Sequence, residues 1–172
     1  MKLLKLNTID GDNLSLESQL EESLEGYGKL IILGVGNELK CDDGIGPFII
    51  KKLQNESIEN EDLLLINAET VPENFTGKIR KENPTHLMII DACLMGCDAG
   101  EIKIVDHEDF ANIGISTHSM SLSFFVKYLQ KDLDFNMIFV GIEPESMDYQ
   151  EFPTETVEKS ALEFIDLLRE IL

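Results

Sequence analysis

Two adjacent carboxylates, a separate third one and an imidazole stand in three short polar clusters of this chain. The first cluster is Gly34-Val35-Gly36-Asn37-Glu38-Leu39-Lys40-Cys41-Asp42-Asp43-Gly44-Ile45-Gly46. The second is Asp91-Ala92-Cys93-Leu94-Met95-Gly96, and the third is Ser116-Thr117-His118-Ser119. Two carboxylates and one imidazole suit a first-row divalent metal with positions left open for a substrate, and the imidazole favours nickel, zinc or iron over magnesium or calcium. Such a set can also supply a general base toward water. Each part has a plainer reading. Asp42 and Asp43 could cap a helix N-terminus, Asp91 could form a strand-end turn, and His118 could belong to a capping turn. Gly34-x-Gly36 could open a dinucleotide fingerprint, but the third glycine of that pattern should fall at Leu39 and does not.

The surrounding pattern must bring these clusters together. Leu30 to Val35, Leu63 to Ile66 and Leu87 to Ile90 are continuous apolar runs, as strands buried on both faces require. Met137 to Gly141 reads as a further strand, and Glu101 to Val105 alternates like a more exposed one. Between them, 44–53, 72–82, 119–129 and 154–172 read as helices, with Pro47 and Pro153 fitting helix starts. Alternation of strands and helices predicts an α/β fold: one three-layer domain with a mostly parallel twisted sheet of about five strands and helices on both faces. Ligands of such sheets bind outside the carboxyl ends of the strands. Asp42 and Asp43 follow the first strand, Asp91 closes the third, and His118 begins a helix after the fourth. The three clusters are therefore expected to meet at one edge. Residues 1–28 read as an acidic extension holding a short helix through Leu14, Leu16, Leu20 and Leu24, and 29–172 as the main domain.

Composition narrows the class. The 172 residues carry 14 Lys and Arg against 33 Asp and Glu, a formal net charge of -19. No cationic footprint for nucleic acid is visible, and an anionic membrane surface would repel the chain. The acidity suits metal cations or a basic partner segment, or simply a solvated surface. Three cysteines, Cys41, Cys93 and Cys97, give no disulfide framework and fit a reducing cytoplasm. The C-x3-C of Cys93 and Cys97 lacks a second cysteine pair, which makes structural thiols the better reading. Asn7, Asp10 and Asp12 interrupt any apolar leader, and the longest apolar run is too short to span a bilayer.

From about Leu30 to the C-terminus the chain resembles the hydrogenase maturation endopeptidases, most of all the type serving formate-hydrogenlyase and related energy-converting hydrogenases. That family's G-x-G-N, acidic pair and G-x-G are met by Gly34 to Gly46. Its strand-closing Asp and glycine turn are met by Asp91, Gly96 and Gly100-Glu101-Ile102, and its S/T-T-H by Ser116-Thr117-His118. Ala68-Glu69-Thr70-Val71-Pro72-Glu73-Asn74-Phe75 matches an A-P-E-N stretch, and Gly141-Ile142-Glu143-Pro144 a G-I-x-P. Glu143 departs from the neutral residue, often Gln, that relatives hold there.

The resemblance implies a phosphorylase/hydrolase-like fold and an endopeptidase of aspartic or metal-dependent type. Its metal ligands and catalytic residues fall on Asp43, Asp91 and His118. It implies nickel presented by the substrate, with other divalent ions as candidates to substitute in vitro. The partner implied is a [NiFe]-hydrogenase large-subunit precursor, trimmed of its C-terminal extension after nickel insertion. The protein is expected to work as a cytoplasmic monomer without nucleic acid or membrane. Asp43 is the preferred base and Asp42 its rival; Cys93 as a nucleophile is disfavoured, because no histidine lies near it in sequence. Two other functions compete: a nickel-checking chaperone that binds the large subunit without cutting it, and a nucleotide-binding α/β protein using the Gly34 loop.

Overall fold

The computed structural model of the chain describes residues 14–105 and 119–172. Strands β1 (Leu30–Val35), β2 (Leu63–Glu69), β3 (His86–Ala92), β4 (Ile102–Ile104) and β5 (Asn136–Ile142) form one sheet in the order β2-β1-β3-β5-β4. The first four in that order pair in parallel, and β4 lies antiparallel to β5 at the edge. Every residue of β1 and β3 is buried, which is why their sequences are apolar apart from His86 and Asp91 at either end of β3.

The two-residue period of a strand divides these side chains between two cores. Leu30 and Ile32, Met88 and Ile90, and Ile138 and Val140 enter one core. Ile31 and Leu33, Leu87 and Ile89, and Phe139 enter the other. Helices α1 (Leu16–Ser23), α2 (Ile45–Asn55) and α5 (Glu155–Ile171) cover the first face. Helices α3 (Thr76–Glu82) and α4 (Ser119–Leu129) cover the second. This is the expected α/β three-layer arrangement.

The predicted helix over 72–82 divides: Pro72–Phe75 is a 3-10 turn, and α3 then runs to Glu82. Asn83 ends it in the left-handed conformation, φ 47°, so that its N–H reaches the Ile79 carbonyl before Pro84. In the N-terminal lead-in, Ser15 caps α1 by accepting from the Ser18 N–H. Leu16, Leu20 and Leu24 enter the same core as α2 and α5, so this helix is docked on the domain.

Candidate active site

The carboxyl ends of β1 and β3 are neighbours, with Gly34 paired to Ile90, and the chain leaving β1 folds back over both. It forms a 3-10 turn, Cys41–Gly44, that touches β3 and leads directly into α2. Glycine makes this fold-back possible. A Cβ on Gly46 would collide with the carbonyl oxygens of Val35 and Ile90, and a Cβ on Gly36 (φ 144°) with that of Asp43. The spaced glycines of the first motif therefore pack the chain against itself. Their use here, with the third fingerprint glycine replaced by Leu39, leaves the nucleotide reading without support.

The adjacent acids, indistinguishable by type, have different surroundings. Asp42 is fully buried, and both its oxygens accept hydrogen bonds. Oδ2 receives the N–H groups of Glu145 and Ser146, each at 2.9 Å. Oδ1 receives the Thr154 N–H at 2.7 Å, and the Thr154 hydroxyl lies 3.1 and 3.0 Å from the two oxygens. Thr154 is the N-cap residue of α5. Asp42 thus ties the turn after β1 to the segment after β5 and to the start of the last helix. A carboxylate so fully engaged by backbone and hydroxyl donors is built into the fold. Neither acid caps α2, whose N-cap is Gly44 with no side-chain hydrogen bond.

Asp43 is 2% exposed and accepts the Asn37 N–H through Oδ2 at 3.2 Å. Asp91 is fully buried at the end of β3, where Oδ1 accepts the Ala92 N–H at 2.9 Å. Strand alternation gives Asp91 the parity of Leu87 and Ile89, hence the face of α3 and α4. The structure thus brings Asp43 and Asp91 to one sheet edge, as the strand order demands. His118, the residue before α4, lies outside the described residues, as do Ser116 and Thr117. Among the described residues no three His, Cys, Asp or Glu side chains form a metal-holding group.

Other candidates separate clearly. His86 sits at the opposite, amino edge, facing Asn136 and Thr85 through its two ring nitrogens, and burial holds its pKa below the usual value. Glu143 is 7% exposed and accepts the Met95 N–H at 2.6 Å and, more weakly, that of Cys97 at 3.4 Å. Its side chain thus braces the loop after β3. Burial raises the thiol pKa values of Cys41 and Cys93, helped by Asp42 in one case and by Asp91 and Glu143 in the other. Cys97 is pushed up to about 11, chiefly by burial. Thiols held protonated in this way are poor nucleophiles. Sequence reasoning missed the role of Asp42: Thr154 reads as an ordinary N-cap, and only the fold shows that its hydroxyl turns to Asp42.

Among polar residues, the edge also presents apolar side chains to solvent. Leu39, Val71, Leu94 and Tyr149, which follow β1, β2, β3 and β5, are 61%, 37%, 55% and 84% exposed. Such residues ringing buried acids suit a macromolecular partner better than a small polar one.

Comparison with known proteins agrees with this fold. Residues 47–170 match the HycI model, described as hydrogenase maturation protease. A Methanocaldococcus jannaschii relative is 39% identical over 163 residues, covering 91% of this chain and 96% of its own length. The hydrogenase 3 maturation protease of Escherichia coli K12 is 35% identical over 136 residues, 78% of this chain and 85% of that protein. The crystal structure of a [NiFe] hydrogenase maturation protease, HycI from Thermococcus kodakarensis, superposes with a TM-score of 0.81 at 29% identity, covering 90% of this chain and 98% of that one. Sheet order, glycine fold-back and sequence likeness thus converge, and the chain belongs to the hydrogenase maturation protease family, in agreement with the formate-hydrogenlyase type expected from its motifs.

Proposed function

We propose that this protein is an endopeptidase that removes the C-terminal extension of a [NiFe]-hydrogenase large-subunit precursor once nickel has been inserted. Family membership supports the reaction class. The observation that carries the site is the pair Asp43 and Asp91, buried together at the carboxyl edge while Asp42 is consumed by structural hydrogen bonds. In this reading the nickel is part of the substrate, and Asp43, Asp91 and His118 recognise it. Two carboxylates and one imidazole bind it weakly enough to release the product. Contact with the metal fixes the scissile peptide beside Asp43, and positioning of this kind lowers the barrier without new chemistry. Asp43 accepts a proton from water as the water oxygen bonds to the scissile carbonyl carbon. The C–N bond then breaks, and that proton passes to the leaving amine. The reaction consumes one water and yields a carboxylate and a free amine. We place it in the cytoplasm, with the protein acting as a monomer.

Intact-mass analysis of a large-subunit precursor, nickel-loaded and nickel-free, tests the proposal. Loss of a C-terminal peptide from the loaded form alone is the expected result. Asp43→Asn, Asp91→Asn and His118→Ala should each abolish the mass change while retaining the wild-type circular dichroism spectrum. Equal cleavage of both precursors overturns the nickel gate, and normal cleavage by all three variants overturns the site. Stable binding without cleavage, on a precursor that a known processing enzyme can cut, points to the chaperone reading.

A further inference from the structure

A groove of roughly 670 Å³ lies between the Pro72–Phe75 turn with α3 on one side and α4 on the other. Phe124, Tyr128 and Thr76 form much of its wall, with Lys127, Lys131 and Glu73 also lining it. Phe124 is 69% exposed and Tyr128 47%. The inner face of α4 is already complete without them, because Leu122, Phe125, Val126 and Leu129 fill the core. Two aromatic residues four positions apart on the opposite face have no role in that packing.

The charge here is inverted relative to the whole chain. The spans 72–82 and 119–132 hold Lys78, Arg80, Lys81, Lys127 and Lys131 against Glu73, Glu82 and Asp132, a local excess of positive charge in a protein of net charge -19. Glu82 is paired with Lys29. The aromatic wall is also held in place: the Arg80 guanidinium lies 4.3 Å from the Tyr128 ring centre, Nη1 donates to the Tyr128 hydroxyl at 3.1 Å, and Nη2 pairs with Asp132 at 2.8 Å. A rigid aromatic shelf flanked by lysines is complementary to an acidic segment carrying aromatic or aliphatic side chains.

The position argues for the same substrate as the site. The Pro72–Phe75 turn follows β2 at the carboxyl edge, and α3 and α4 cover the face to which Asp91 belongs. We infer that this groove docks an acidic, apolar-bearing segment of the large-subunit precursor, away from the tail that is cut. The inference rests on the proposed function. Binding energy gathered there would hold the precursor while its tail reaches the acids.

The test compares the full chain with Phe124→Ser and with the double variant Lys127→Glu, Lys131→Glu. These residues are exposed, and unchanged melting temperatures would certify the fold. The probe is the nickel-loaded large-subunit precursor of a hydrogenase 3-type enzyme. Each variant should raise Kd and KM about tenfold while kcat stays within about twofold, as expected for a docking residue remote from chemistry. The charge-reversed variant should also lose most of the salt dependence of binding. Wild-type Kd and KM in both variants, with cleavage proceeding, overturn the groove alone. A wild type that neither binds nor cuts this precursor overturns the groove and the proposed function together. Dimerisation of the wild type that Phe124→Ser abolishes assigns the groove to a second copy and overturns the inference.

Discussion

Asp42 and Asp43 show how little residue type decides. Their side chains are identical, yet one is a structural acceptor and the other is left as the candidate base. Replacing Asp42 with Ala strands the N–H groups of Glu145, Ser146 and Thr154. The expected cost is about 3 kcal/mol, the scale of several buried donors losing their acceptor. Thermal melting should show it as a fall in Tm of roughly 10 °C for a domain of this size. An unchanged Tm would refute the structural assignment. Cys97 offers a separate reading of local electrostatics. It is the half-buried thiol, whereas Cys41 and Cys93 are buried. Its pKa of about 11 has burial as the first cause, with Glu143 among those that raise it further. The thiolate therefore forms only as pH rises toward that value, and iodoacetamide labelling should climb steeply through pH 9 to 11. Glu143→Gln should shift the labelling curve to lower pH without bringing it to the value of a free thiol. A curve that does not move would remove Glu143 as a cause.

At the scale of elements, sequence was most informative where burial is uniform. The apolar runs of β1 and β3 could hardly be anything but central strands, and the start and end of α4 followed from its inward stripe. It was less informative wherever the partner surface mattered. The leucines of α1 announce a buried face but not the core it joins, because that core is assembled from β4, α2 and α5, distant in sequence. Leu20 is fully buried there. Leu20→Ala should cost about 3 kcal/mol in a urea titration, by the lost transfer energy and the cavity left behind. A change below about 0.5 kcal/mol would mean that the helix contributes little to the core. The aromatic wall of the groove was legible in principle, since Phe124 and Tyr128 fall outside the inward stripe of α4. Its meaning depended on α3, which only the fold brings alongside. The division of 72–82 into a 3-10 turn and a helix was also beyond periodicity, because both forms place side chains at similar intervals.

For the whole molecule, the convergence of Asp43 and Asp91 was legible from strand order alone, since loops after parallel strands share one edge. What strand order does not supply is the distinction between adjacent acids, which is set by donors 103 to 112 positions away. The overall charge of -19 is likewise a sum that hides its own exception on α3 and α4. The separation between Asp42 and its donors also bears on synthesis. A chain emerging from the ribosome presents both acids first, but the anchor that fixes their turn arrives only with residues 145–154, about a hundred residues later. Until then β3 also lacks its neighbour β5. A partly made chain would hold the acids with no set geometry between them, so the ability to cut should switch on only once residues 145–154 have been made and folded.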